Sequence, residues 1–95
     1  MDITTSIEDG TARIALAGSL NTNTASELEQ ALEPLFGTIS RLVFDFTELE
    51  YISSAGLRVL MMAYKQVGEI EVSGASDEVR EVFDITGFSD LFSIR

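Results

Sequence analysis

The chain has 95 residues, of which 16 are Asp or Glu and 6 are Lys or Arg, and it contains neither His nor Cys. Its formal net charge of -10 disfavours nucleic acid, whose binding requires clustered Lys and Arg, and disfavours anionic membranes. Without His and Cys the chain cannot build a Ser-His-Asp triad, a cysteine nucleophile or the commonest transition-metal sites. We therefore predict a non-enzymatic protein without cofactor or metal.

The length indicates a single domain over residues 1–95, because a chain of 95 residues is long enough for one domain but not for two. Hydrophobic residues make up 45% of the chain, which is enough to build a core. No apolar run approaches the ~20 residues of a membrane span, and the first residues lack the pattern of a signal peptide. We expect a cytoplasmic protein that does not bind membranes.

The first third of the chain predicts a β-hairpin followed by a helix. Residues 1–8 and 11–17 form the hairpin around the turn signal Asp9-Gly10. Alternate positions of its second strand are apolar and face the core: Ala12, Ile14 and Leu16. Residues 18–24 are predicted to form a polar turn, and Pro34 to kink or end the helix that follows. The apolar stripe of this helix is Ala25, Leu28, Leu32 and Leu35.

The remainder alternates strand and helix. The nearly continuous apolar run 42–46 predicts a strand covered on both faces, and a helix follows to about Gln66. The predicted buried stripe of that helix is Leu57, Leu60, Met61 and Tyr64. A strand over 69–73, a helix that ends at Gly87 and a short strand over 91–94 complete the order ββαβαβαβ. This order predicts an α/β domain with a mixed sheet of about five strands and three main helices.

Asp45 interrupts the apolar run of the third strand. A carboxylate in such surroundings can be catalytic. We favour a structural interpretation, in which Asp45 lies at the end of the strand and accepts hydrogen bonds from the loop that follows.

The segment Ser53-Ser54-Ala55-Gly56 carries the strongest functional signal, because it follows a buried strand and opens a helix. In a purely structural interpretation both serines cap free backbone N–H groups. In a functional interpretation one serine is a phosphorylation site. A phosphate at a helix N-terminus meets unpaired N–H donors and the positive end of the helix dipole, so the fold tolerates it.

Four segments in order resemble the STAS domain family, in particular its stand-alone bacterial anti-sigma factor antagonists. They are Ala17–Asn21, Leu42–Phe46, Ile52–Arg58 and Phe83–Phe88. The resemblance covers essentially the whole chain and implies a STAS-like fold. It also implies a protein that binds a serine-kinase anti-sigma factor, is inactivated by that kinase through serine phosphorylation, and is restored by a serine phosphatase.

The resemblance implies that Ser54 is the phosphorylated residue. The family often has Asp at the preceding position, where this chain has Ser53, so Ser53 is an alternative acceptor. The family also often has Asp where this chain has Asn21, in a turn expected to touch the partner. Asn21 keeps the capacity for hydrogen bonds without the charge, and a structural role for it remains open.

The partner surface implied by these segments surrounds Ser54. Its predicted residues are Asn21, Thr22, Asn23, Ser53, Ala55, Gly56, Arg58 and Met62. Exposed apolar residues beside a charged rim are typical of docking sites, and Met adapts well to a partner. Packing against a neighbouring helix is the alternative for Ala55, Arg58 and Met62, and for Val59 it is the favoured interpretation.

Two other functions are compatible with parts of the sequence. The chain could be a STAS docking or ligand-sensing module without phosphorylation. An acyl carrier protein is also small and acidic, with a modified serine at a helix start, but carriers are all-helical and the alternation over 11–17 contradicts that fold. We expect the protein to be a monomer when free.

Overall fold

The computed structural model describes all residues 1–95 and has the predicted element order. Its strands are β1 Asp2–Glu8, β2 Thr11–Leu20, β3 Arg41–Ile52, β4 Ile70–Ser73 and β5 Ser93–Ile94. Its helices are α1 Thr22–Leu32, α2 Ser54–Val67 and α3 Asp77–Thr86, with short 3₁₀ turns at Glu33–Leu35 and Phe88–Asp90. None of these helices combines the length and the apolar character needed to cross a bilayer.

The five strands form one mixed sheet in the order β1-β2-β3-β4-β5. β1 and β2 pair antiparallel, and every other pair is parallel. Asp9 (φ 51°) and Gly10 (φ 78°) both have positive φ, as a two-residue type I′ hairpin turn requires. The carbonyl oxygen of Gly10 accepts from the N–H of Ser40 at 2.8 Å, which fixes the start of β3 beside the hairpin.

A single core lies between the sheet and the three helices. It contains 21 buried residues, including Phe44 and Phe46 from β3, Leu60 from α2 and Phe83 from α3. The expectation that β3 is covered on both faces is wrong, because this core lies on one face only. Val43 points to the other face and is still only 4% exposed, since the strand register places it between Arg13 and Glu71.

Two strands are longer than the sequence patterns predicted. β2 continues to Leu20, although residues 18–24 were expected to be a turn, and β3 continues to Ile52. The two extensions pair with each other, Ser19 opposite Tyr51 and Leu20 opposite Ile52. The local composition of each segment is turn-like, so cross-strand pairing overrides local propensity here. At Pro34 the prediction is confirmed, because α1 ends at Leu32 and continues only as a 3₁₀ turn.

Asp45 lies within β3, not at its end as predicted. It sits where β4 stops pairing, at Ser73, and where a bulge places an extra residue in β3 opposite β2. Its Oδ1 accepts from the hydroxyl of Thr47 at 2.6 Å and from the N–H of Thr47 at 3.0 Å. These two bonds, with a smaller effect of the Arg13 charge, lower the pKa of Asp45 although partial burial opposes the shift. The predicted structural role as an acceptor is confirmed, with a donor in the same strand.

The ion pairs of the chain cluster around the start of β3 and its neighbour β4. Arg41 pairs with Glu69 at 3.0 Å and with Glu71 at 2.5 Å, and Arg95 pairs with Glu71 at 3.1 Å. Glu71 is the most buried of these groups, so this network ties β3, β4 and the C-terminal residue together. The remaining acidic side chains have no ion-pair partner within the chain.

We predict that Thr47→Val lowers the free energy of unfolding at pH 7 by about 1 kcal/mol, because it removes a hydrogen bond to an ionised carboxylate. The pKa of Asp45 is lower in the folded than in the unfolded state, so its contribution to stability is present above about pH 4 and is lost as pH falls through the folded pKa. Urea unfolding between pH 2 and 7 should show a flatter acid dependence for the variant.

Thr38→Val is the matched control, since the Thr38 hydroxyl donates to the neutral carbonyl oxygen of Leu35 at 2.7 Å. Its effect should be the same at every pH. An unchanged acid dependence in Thr47→Val would contradict the assigned role of the Asp45–Thr47 pair.

Candidate functional site

Two neighbouring parallel strands end at the same level, and each leads directly into a helix. Leu20 and Ile52 are the last paired residues of β2 and β3, and Asn21 and Ser53 occupy the next positions. The N–H of Ser53 donates to the carbonyl oxygen of Leu20 at 2.8 Å. Asn21 and Ser53 have extended backbones and are the N-caps of α1 and α2. The positive ends of two helix dipoles therefore lie side by side at the carboxyl edge of the sheet.

Asn21 is part of a reciprocal cap on α1. Its Oδ1 accepts from the N–H of Asn23 at 2.9 Å and of Thr24 at 3.0 Å. In return, Thr24 Oγ1 accepts from the N–H of Asn21 at 2.8 Å, and its hydroxyl donates to the carbonyl oxygen of Ser19 at 2.7 Å. Asn21 thus has a structural role, and Thr24, which was not predicted as a site residue, fixes the turn. The spacing Asn-x-x-Thr is the capping-box signal that identifies it.

The two serines have different environments, which corrects the interpretation that both are caps. Ser53 is half-buried, and its Oγ accepts from the N–H of Gly56 at 3.2 Å. Ser54 is the first residue of α2 and is exposed, and its hydroxyl has no hydrogen bond within the chain. The backbone N–H groups of the first helical turn have no partner inside the helix. Ser54 therefore presents a free hydroxyl beside free backbone donors.

Gly56 allows α2 to approach the ends of both strands. A Cβ at this position would lie 2.7 Å from Leu20 Cγ, closer than packed carbon atoms allow, and 3.1 Å from Ile52 Cγ1, which is also a tight contact. Gly56 is buried in this arrangement. The expectation that it contacts a partner is therefore corrected, because it faces the sheet, and its effect on the site is to hold the start of α2 in position.

The buried side of α2 differs from the predicted stripe. The buried residues are Gly56, Val59, Leu60 and Ala63, whereas Leu57, Met61 and Tyr64 are half-buried. The sequence pattern missed this because Gly56 has no side chain to count. Val59 belongs to the core, which confirms the interpretation that it packs within the protein and does not belong to the partner surface.

The outward side of α2 runs from Ser54 through Arg58 to Met62, at helical spacings of four residues. Arg58 is exposed, while Ala55 and Met62 are half-buried against the edge of the core. The same geometry places Met61 and Lys65 on this side, and neither was predicted as a site residue. The spacing i, i+4, i+7 from Ser54 is the signal that would have found Met61.

The charges around the site contrast with the acidic chain. Neither α1 nor α2 has an acidic residue in its first turn, and Arg58 lies one turn beyond Ser54 without an ion-pair partner. Thr22 and Asn23, at the start of the neighbouring helix, are exposed and neutral. The two helix dipoles and Arg58 therefore make this surface locally favourable to a negative charge.

Comparisons with known proteins identify the family of the chain. The profile of the family described as "Mlab, STAS domain" matches residues 3–93. The chain belongs to the STAS family. This STAS domain is 37% identical to the BtrV protein of Bordetella bronchiseptica over 99% of this chain and 85% of BtrV. It is 35% identical to the anti-sigma-B factor antagonist of Listeria monocytogenes over 86% of this chain and 76% of that protein.

Among solved structures, the phosphorylated form of the Bacillus cell fate determinant SpoIIAA has the same fold. The TM-score is 0.80 at 15% sequence identity, over 99% of this chain and 91% of SpoIIAA. The STAS-like mixed α/β fold predicted from the sequence is therefore confirmed.

We predict that Ser53→Ala lowers the free energy of unfolding by about 1 kcal/mol, because it removes the N-cap of α2. Ser54→Ala should change it by less than about 0.5 kcal/mol, since the Ser54 side chain makes no hydrogen bond and is exposed. Urea unfolding of both variants measures the difference. Equal losses in the two variants would contradict the assignment of separate roles to the two serines.

We predict that Gly56→Ala destabilises the protein by about 1–3 kcal/mol, because the new methyl group overlaps Leu20 and Ile52. The double variant Leu20→Ala/Gly56→Ala relieves part of this overlap. A double-mutant cycle by thermal unfolding should therefore show a favourable coupling between the two substitutions. Strict additivity would argue against the close contact.

Proposed function

We propose that this STAS domain is an anti-sigma factor antagonist that binds a serine-kinase anti-sigma factor and is inactivated by phosphorylation on Ser54. The name of the Listeria relative, at 35% identity, supports the antagonist activity. The phosphorylated form of SpoIIAA is a precedent for phosphorylation within this fold. The observation that carries the proposal is the exposed, unbonded hydroxyl of Ser54 at the first position of α2.

Ser54 is a better acceptor than Ser53 for two physical reasons. A kinase needs access to the hydroxyl, and Ser54 is exposed whereas Ser53 is half-buried. The Ser53 oxygen also accepts the N–H of Gly56, so phosphorylation there would disturb the cap of α2. A phosphate on Ser54 leaves that cap intact.

The proposed switch acts on the partner rather than on the fold. Phosphorylation adds a charge of about −1.5 to −2 to a surface that helix dipoles make favourable to anions. The domain therefore stays folded in both states. A partner that excludes water from this surface would have to remove the hydration shell of the added charge, which costs binding free energy. A loss of about 2.7 kcal/mol at the interface would weaken binding about a hundredfold.

The proposed partner surface combines the start of α1 with the outward side of α2. Arg58 and Met62 provide a charged rim and an adaptable apolar contact, as docking sites often do. Relative to the sequence prediction, we leave Gly56 out of this proposed surface because it is buried, and we include Met61 and Lys65 because they lie on the same side of α2 as Ser54. The full proposed set is Asn21, Thr22, Asn23, Ser53, Ser54, Ala55, Arg58, Met61, Met62 and Lys65.

The proposal extends to the rest of the regulatory cycle, in which the anti-sigma factor binds either the antagonist or the sigma factor. A serine phosphatase would restore the unphosphorylated antagonist, and release of the sigma factor would then change transcription. We propose a cytoplasmic location, because the proposed kinase, ATP and the sigma factor are all cytoplasmic. We also propose a monomer when free, because the domain is small and acidic and its proposed docking surface lies on one side. The alternative is a STAS docking or ligand-sensing module without phosphorylation. Ser53 in place of the family's usual Asp favours that alternative, because the site lacks the carboxylate beside the acceptor.

The decisive experiment incubates the purified protein with a serine-kinase anti-sigma factor from the same organism and Mg-ATP, then maps phosphate by peptide mass spectrometry. We expect a single phosphate on Ser54, retained in Ser53→Ala and absent in Ser54→Ala. Isothermal titration calorimetry then measures binding to the same kinase. Ser54→Asp should bind at least tenfold more weakly than Ser54→Ala.

The outcomes separate the alternatives. Phosphate on Ser53 alone would reassign the acceptor within the same switch. Equal kinase binding by Ser54→Asp and Ser54→Ala, with no phosphate on either serine, would leave only the docking module. A phosphopantetheine mass on Ser54 would identify a carrier protein instead.

A further inference from the structure

β3 has a stretch without a strand on one side. Its pairing with β4 ends at Asp45 opposite Ser73, whereas its pairing with β2 continues to Ile52. After β4, Gly74 packs so closely on Thr47 that a Cβ there would overlap the Thr47 hydroxyl. The loop after β4 thus stays close to β3 at Thr47, which remains exposed, and no strand pairs with Glu48–Ile52 on the side of α3. Such an unpaired edge is a template for a strand from another chain.

A groove of about 160 Å³ lies between this edge and α3. β3 contributes Glu50, Tyr51 and Ile52 to its lining, and α3 contributes Glu78, Val79 and Val82. Tyr51 is 55% exposed, an unusual degree for an aromatic residue in a strand. Ile85, which is 77% exposed, extends the apolar strip one turn beyond Val82 on the same side of α3. The groove thus offers apolar contacts beside the free strand edge.

The charge at the groove is negative and uncompensated. Glu50 and Glu78 line it, and neither forms an ion pair, because the three ion pairs of the chain involve only Arg41 and Arg95. The lining contains no Lys or Arg. A cationic occupant would therefore find carboxylates that no residue of this chain neutralises. A second copy of the chain would instead bring its own net charge of -10 against them.

We propose that this β3–α3 groove binds an extended segment of a partner protein in which basic and apolar residues alternate. The segment adds as a strand to Glu48–Ile52, so main-chain hydrogen bonds provide affinity. Its apolar side chains pack on Tyr51 and Val82, and its basic side chains face Glu50 and Glu78. The inference does not depend on phosphorylation of Ser54, which lies outside the lining of the groove.

The test titrates ¹⁵N-labelled full-length protein with a capped octapeptide of alternating Lys and Val, followed by NMR chemical shifts. We expect the largest shifts at the amides of 48–52 and 78–82. The same peptide N-methylated at alternate residues keeps its charge but loses main-chain donors, so it should bind at least tenfold more weakly. An alternating Glu and Val peptide should not bind.

Matched variants separate specific docking from general attraction to an acidic protein. Glu50→Gln/Glu78→Gln should weaken peptide binding at least fivefold. Glu27→Gln/Glu29→Gln removes the same charge from α1 and should leave the affinity unchanged. Thermal unfolding checks that both variants are folded.

Three results would overturn the proposal. The first is equal weakening by the two double variants, and the second is equal affinity of the methylated and unmethylated peptides. The third is a shift map centred on the other sheet edge, β1, instead of on the groove. Sedimentation equilibrium tests for a second copy as occupant, and a dimer whose interface protects the amides of 48–52 from exchange would also replace this proposal.

Discussion

The parallel pairing of Leu20 with Ile52 is the contact on which the functional part of the molecule depends. It brings β2 and β3 to a common end, so Asn21 and Ser53 cap two helices side by side. The hydrogen bond from Ser53 to Leu20 and the missing Cβ of Gly56 then hold the start of α2 against that end. A shift of one residue in this register would displace the Asn21 cap of α1 relative to Ser53 and Ser54 at the start of α2.

This constraint also separates two functions that the sequence places in adjacent serines. Ser53 is used to satisfy the backbone of α2, which leaves Ser54 with an exposed hydroxyl. If Ser54 is phosphorylated as proposed, the added charge does not disturb the cap that Ser53 provides. The first turn of α2 offers N–H donors and the positive end of a helix dipole to an anion. In the proposed switch, the partner would therefore meet a local change of surface charge and not a change of fold.

The extension of β3 past β4 has a second consequence at the same end of the sheet. β4 is only four residues long, while β3 has twelve, so part of one edge faces α3 instead of a strand. Two of the six basic residues, Arg41 and Arg95, pair in the network around Glu71, and none of the six lines the groove beside that edge. An unpaired strand edge can pair with strands of other chains. The negative charges of Glu50 and Glu78 repel other acidic chains and so disfavour pairing with them.

The sequence by itself determined the element order, the hairpin at Asp9-Gly10, the end of α1 before Pro34 and the position of the two serines at a helix start, because these depend on local φ preferences and capping. Only the tertiary structure decided that the turn-like residues Ser19 and Leu20 belong to a strand, that the buried stripe of α2 is centred on Gly56 and Ala63, and that one serine is occupied while the other is free. The first two features depend on contacts between residues more than 30 positions apart, Leu20 with Ile52 and Leu20 with Gly56, which periodicity within a single segment does not contain. The third depends on which of two neighbouring hydroxyls the backbone geometry directs at the N–H of Gly56.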